Sequence, residues 1–219
     1  MNIKKENIKN ISKIDSIILS SKVLPIVVIS NVDDCLSIAE ALLNGGINIM
    51  EITLRTKVAF KAIESVIKSF PEMKVGVGTV VSPAQLIESS ALGAHFAVSP
   101  GLSKNLLEIA EDIKDEIPLL PGISNPSQIM SCINSNFHTM KFFPAEYFGG
   151  VDFLKSIENI FPNAKFCPTG GINFNNAKDY LSLSNVLSVG GSFVVPKNAI
   201  ENKNWNLVTE ISKKIKDNL

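Results

Sequence analysis

Short apolar runs rich in β-branched residues recur along the chain: VLPIVVIS (23–30), INIMEITL (47–54), KVGVGTV (74–80), HFAVSP (95–100), PLLPGI (118–123), TMKFFP (139–144), KFCPTG (165–170) and VLSVGGS (186–192). Their last residues, from Ser30 to Ser192, follow one another every 20 to 26 positions. Between them the apolar period changes from that of a strand to that of a helix. In DDCLSIAEALLNGG (33–46), Leu36, Ala39, Leu42 and Leu43 share one face and glycines end the segment. In SPAQLIESSALGA (82–94), Ser82 is placed to cap a helix and Pro83 suits its first turn. NLLEIAEDIKDE (105–116) follows the same pattern. Strands alternating with helices predict βαβ units and a parallel sheet. Eight units predict an α/β fold, a single (β/α)8 TIM barrel. An open doubly wound sheet would carry a GxGxxG turn after its first strand, where this chain has NVDDCL.

The 219 residues then form one domain over 1–219, with residues 1–20 as an extra helix before the barrel. Ile3, Ile8, Ile11, Ile14, Ile17 and Ile18 recur there at helical spacing, and the apolar stretch is too short for a secretory signal. No run approaches the roughly 20 apolar residues of a membrane span. Basic and acidic residues balance at 21 each, which gives no pull toward nucleic acid or an acidic membrane. Cys35, Cys132 and Cys167 are far apart and odd in number, the pattern of reduced thiols in a cytoplasmic protein.

Barrel chemistry sits at the C-terminal strand ends. The polar residues there are Glu51, Arg55, Thr79, Ser99, Lys141, Thr169 and Ser192, with Pro100 beside Ser99. His95 and His138 fall at strand starts, so a structural role is expected for both and a two-histidine metal site is not. Strand alternation puts Glu51, Thr53 and Arg55 on one face, and Thr139, Lys141 and Phe143 on one face. A lysine inside TMKFFP either extends its amine to the rim or serves as a nucleophile. Burial disfavours its charged form, and a neutral amine attacks a ketone to give an imine that draws electrons from the neighbouring carbon. Glu51 would then move protons. Arg55, the only arginine in the chain, would hold a carboxylate, or simply pair with Glu51 across the barrel. CPTGGI (167–172) and SVGGSF (188–193) follow the last two strands, the usual place of a phosphate site in this fold. Glycine lets backbone N–H groups approach an anion closely.

MEITLRT, GVGTV, AVSPGL, LPGIS, MKFFPAEYFGG, FCPTGGI and VGGSFVVP, in this order and across nearly the whole chain, resemble the 2-dehydro-3-deoxy-6-phosphogluconate (KDPG) aldolases, also called bifunctional 4-hydroxy-2-oxoglutarate (KHG) aldolases. The resemblance implies a homotrimeric barrel that needs no metal or other cofactor. It implies cleavage of KDPG to pyruvate and glyceraldehyde 3-phosphate, and of KHG to pyruvate and glyoxylate. Matching motif positions make Lys141 the Schiff-base lysine and Glu51 the acid–base residue. They put Arg55, Thr79, Pro100 and Phe143 at the pyruvyl end, Thr169 near the phosphate, and Gly170, Gly171, Gly191 and Ser192 around it. Tyr147 and Phe148 depart from the small or polar residues usual after FPAE; they would narrow the entrance or pack on a neighbouring subunit. Two alternatives remain at this point: an aldolase for the 6-phosphogalactonate epimer, and a non-catalytic phosphosugar-binding barrel, which has no need of Lys141.

Overall fold

The structure, a computed structural model, describes residues 12–219. Each of the eight apolar runs contains a strand. They are β1 (Val23–Val27), β2 (Ile49–Thr53), β3 (Lys74–Gly78), β4 (Phe96–Val98), β5 (Leu119–Leu120) with β6 (Gly122–Ile123), β7 (Thr139–Phe142), β8 (Lys165–Pro168) and β9 (Val189–Gly191). The fifth run supplies two pieces separated by Pro121, whose missing N–H interrupts a ladder. β5-β4-β3-β2-β1-β9 form a curled parallel sheet of six strands, and β6-β7-β8 form a parallel sheet of three. Isolated parallel bridges, Phe166 with Val186 and Thr169 with Gly190, link β8 to the segment entering and containing β9.

Helices follow the strands: α2 (Val32–Asn44), α3 (Ala59–Ser69), α4 (Pro83–Ala91), α5 (Lys104–Asp112), α6 (Pro126–Asn134), α7 (Gly150–Ile157), α8 (Ala177–Leu181), α9 (Lys197–Glu201) and α10 (Trp205–Asn218). Several starts are set by side chains that accept from otherwise unpaired amides. Asn31 caps α2, Ser82 caps α4 with Pro83 behind it, Ser103 caps α5, and Asn125 caps α6 with Pro126 behind it. Leu42 and Ala39 of α2 are buried, while Leu36 and Leu43 pack on the core from its edge. β1 and β2 are buried at every position, as expected for strands covered on both faces.

Of the anticipated helix over 1–20, the described part is α1 (Lys13–Ile18); Ile3, Ile8 and Ile11 lie outside the described residues. Ser12 and Asp15 form a capping box at its start. Ile14, Ile17 and Ile18 join the core, each contributing roughly 1.5–3 kcal/mol by burial. Lys13 donates to the carbonyls of Asp115 (2.8 Å) and Glu116 (3.1 Å), and the Thr139 hydroxyl donates to the Asp15 carboxylate. α1 is thereby tied to the start of β7, the strand that carries Lys141 further along. No helix among the described residues is long and apolar enough to cross a membrane.

Candidate active site

β2 and β7 belong to different sheets, yet two of their side chains meet. Lys141 Nζ donates to Glu51 Oε1 at 3.4 Å. Lys141 is 6% exposed and Glu51 1%. These are the two buried charged side chains among the described residues. A buried ion pair recovers its desolvation cost only when its remaining polar atoms are satisfied. Here Glu51 Oε2 has no hydrogen-bond partner among the described residues. One carboxylate oxygen holds the amine, and the other is held by no side chain or amide of the described residues. The Lys141 amine also lies 5.2 Å from the centre of the Phe143 ring.

The strands explain why the pair forms. β7 extends from Thr139 to Phe142, so Thr139 and Lys141 share a face, with Phe143 just beyond the last residue. Met140 and Phe142 point the other way, into the apolar core. Glu51 is the middle residue of β2, flanked by core residues Met50 and Ile52. Cys167 is aligned with Lys141 across the β7–β8 ladder. Burial, with Glu51 adding and Lys141 opposing, pushes the Cys167 thiol up to about 12. It stays protonated at neutral pH, the inert state of a buried structural thiol.

Alternation was expected to place Arg55 beside Glu51. The strand ends at Thr53, the chain turns at Leu54, and Arg55 is exposed. Once the extended backbone stops, the two-residue period no longer governs where a side chain points. Glu51 pairs with Lys141 rather than with Arg55. Thr53 is a brace, donating to Val27 O at 3.2 Å, and Ser99 is another, accepting from the Gly122 amide at 3.2 Å.

The other anticipated residues all follow strand C-termini. Thr79 comes directly after β3, Pro100 after β4, Phe143 after β7, and Thr169 to Gly171 after β8. Gly191 ends β9, and the exposed Ser192 opens a 3-10 turn. Thr79 has φ +62. For a β-branched residue this is an outlier of order 1–3 kcal/mol, of the sort concentrated at functional sites. Gly170 and Gly171 have φ +97 and +83, conformations that suit glycine alone. A methyl group on Gly171 would also lie 2.4 Å from Glu146 Cγ.

His95 and His138 fall at the opposite end. His95 accepts from the Val75 amide at 3.1 Å, and burial, then Lys74 and Lys13, hold its pKa below the usual 6.5. His138 lines a cleft of about 800 Å³ beneath the strands with Lys13, Asp15, Thr139 and Lys165; none of the anticipated site residues borders it.

The model of one protein family, KDPG and KHG aldolase, matches residues 14–211. The chain belongs to the KDPG and KHG aldolase family. The KHG/KDPG aldolase of Escherichia coli K12 is 42% identical over 199 residues, 91% of this chain and 92% of that one. A solved KDPG aldolase from Legionella pneumophila is 46% identical with a TM-score of 0.89, covering 92% of this chain and 97% of that one; it holds pyruvate captured at low pH as a covalent carbinolamine intermediate. The Zymomonas mobilis aldolase solved with 3-phosphoglycerate is 39% identical with a TM-score of 0.85, covering 92% and 94%.

Two features of this aldolase fold escape a reading of strand ends. Tyr180 of α8 is buried and donates to the Glu146 carboxylate, joining the loop after β7 to the helix after β8. The Ala145 and Glu146 amides donate to Thr169 O and Gly170 O, at 2.7 and 3.2 Å, and draw the same loops together. FPAE shows a proline turn but not its partner, because the contact spans 34 residues. The second feature is the glycine pair of GVG in β3, Gly76 and Gly78. Tyr147 and Phe148 are exposed, at 85% and 48%.

Proposed function

We propose that this chain is a class I aldolase that cleaves KDPG to pyruvate and glyceraldehyde 3-phosphate, and KHG to pyruvate and glyoxylate. The observation that carries the reading is the buried Lys141–Glu51 pair with one free carboxylate oxygen, in a family with a member that holds covalent pyruvate.

The chemistry follows from the pair. Lys141 passes a proton to Glu51 and its neutral amine adds to the C2 ketone to give a carbinolamine; Glu51 gives the proton back as the hydroxyl leaves as water, which leaves an iminium and an ionised Glu51. Glu51 removes the proton of the C4 hydroxyl as the C3–C4 bond breaks. The bonding electrons pass to C3 and form an enamine, and the aldehyde fragment departs. Glu51 returns its proton to C3, and water releases pyruvate and restores the amine. The iminium is the electron sink. Arg55 and Thr79 hold the pyruvyl carboxylate end in this reading, while Pro100 and Phe143 shape its pocket. Thr169, Gly170, Gly171, Gly191 and Ser192 take the phosphate.

The reading extends to architecture. β5 and β6 count as one strand broken at Pro121, and the bridges of Phe166 and Thr169 join β8 to β9, which supports a closed eight-stranded barrel in a single domain. The meeting of Glu51 and Lys141 from separate sheets supports the same closure. α1 seals its lower end, by the Asp15–Thr139 contact. The family resemblance supports a homotrimer in the cytoplasm that acts on a small phosphorylated acid rather than on nucleic acid or membrane.

The phosphate assignment is testable at Gly191. Its φ of −149 is extended backbone that any residue adopts, and the atoms nearest to a Cβ there belong to the Phe193 ring, the first at 2.3 Å. Gly191→Val therefore crowds the loop with little effect on Lys141. We expect KM for KDPG to rise about tenfold or more, about 1.4 kcal/mol, with KM for the phosphate-free KHG changed far less. Both constants come from pyruvate release by wild type and variant. Equal increases for the two substrates contradict the phosphate site, and absence of pyruvate release by the wild-type protein contradicts the aldolase reading itself.

A further inference from the structure

We infer that Gly78 is a positioning residue that holds the Glu51 carboxylate in register with Lys141. This inference rests on Glu51 being the acid–base group. A methyl group added at Gly78 would lie 2.1 Å from Glu51 Oε1 and 2.7 Å from both Cδ and Cγ. Nothing else comes as close: the three nearest atoms all belong to Glu51. The backbone does not itself demand glycine, because Gly78 is not among the glycines with positive φ.

The ladder explains the contact. Glu51 is aligned with Gly76 and Thr53 with Gly78. A strand side chain leans along its strand, so the carboxylate passes over position 78, two residues further along β3. The two glycines of GVG thus do different work. A methyl group at Gly76 would enter the Phe96 ring at 2.2 Å, a matter of core packing. Position 78 instead forms the recess in which the carboxylate lies. Glycine inside a strand often marks such a close approach. The same recess directs Oε1 at the amine and leaves Oε2 without a partner. The next residue, Thr79, carries the outlying φ of +62, so recess and strain are adjacent at the end of β3.

Imine formation needs Lys141; moving a proton at the pyruvate methyl group also needs Glu51 in place. Gly78→Ala should separate these steps. Trapping of pyruvate by borohydride should stay within about threefold of wild type. Exchange of pyruvate methyl protons with deuterated water should slow by about 10²-fold, in the range of a misplaced general base. In a Glu51→Gln background, Gly78→Ala should add less than about threefold, because the two changes act through one group. Exchange at the wild-type rate overturns the inference, as does an equal fall in trapping and exchange, or an undiminished Gly78→Ala effect without the carboxylate. Should Gly78→Ala alone fail to fold, Glu51→Ala/Gly78→Ala must fold and melt with Glu51→Ala, since alanine at 51 has none of the three atoms that the methyl group would meet; a double variant that unfolds where Glu51→Ala does not also overturns it. Wild-type protein that neither traps pyruvate nor exchanges its protons would instead remove the aldolase reading beneath it.

Discussion

Lys141→Arg removes turnover, by about 10⁴-fold or more, as expected for loss of a covalent nucleophile. The variant isolates nucleophilicity from charge. A guanidinium keeps the positive charge opposite Glu51, so no buried carboxylate is left alone, an event that otherwise costs about 3–5 kcal/mol. It stays protonated and forms no imine. Lys141→Met should be as inactive while filling similar space, but with Glu51 unpaired it should also melt earlier. No neighbour replaces the amine. Lys141 is the one buried lysine among the described residues, and the adjacent Cys167 thiol is pushed up to about 12 by burial. Circular dichroism establishes the fold, and pyruvate release measures turnover. Substantial turnover by Lys141→Arg would place the chemistry on another group.

Glu51→Gln lowers kcat by about 10²–10⁴-fold, the range for a positioned acid–base group, while the protein still binds pyruvate covalently. The amide nearly matches the carboxylate in shape and remains an acceptor for the Lys141 amine, but it cannot take a proton from the C4 hydroxyl. The structure makes this separation sharp. Oε1 is the oxygen facing Lys141 at 3.4 Å, whereas Oε2 has no partner among the described residues. Borohydride trapping and steady-state turnover on one preparation compare the two steps. Turnover at the wild-type rate removes Glu51 from the mechanism. Trapping lost together with turnover makes it a support for Lys141 rather than a proton carrier.

Much of this is legible in the chain itself. Short apolar runs located all the strands, since strands covered on both faces are apolar nearly throughout, and the pleat fixes the alternation of side chains along them. The same alternation placed Lys141 and Glu51 inward. It does not extend to Arg55, two residues past the end of β2, because alternation is a property of extended backbone and the chain has already turned. It also missed the break at Pro121, although a proline in a strand signals one. Contacts between distant segments were beyond reach. Tyr180 with Glu146, and Asp15 with Thr139, depend on which loops and helices the fold brings together. Gly78 lies between these cases. Its glycine was legible, but its reason appears only when Glu51 is placed across the β2–β3 ladder.

The central claim is that the interior amine on β7 forms a covalent imine with a 2-oxo acid. The most direct test is the mass of the intact protein after incubation with pyruvate and borohydride, followed by peptide mapping. The account predicts a gain of one reduced pyruvyl group, carried by the peptide containing Lys141. An unchanged mass, or a label on a different lysine, would contradict it.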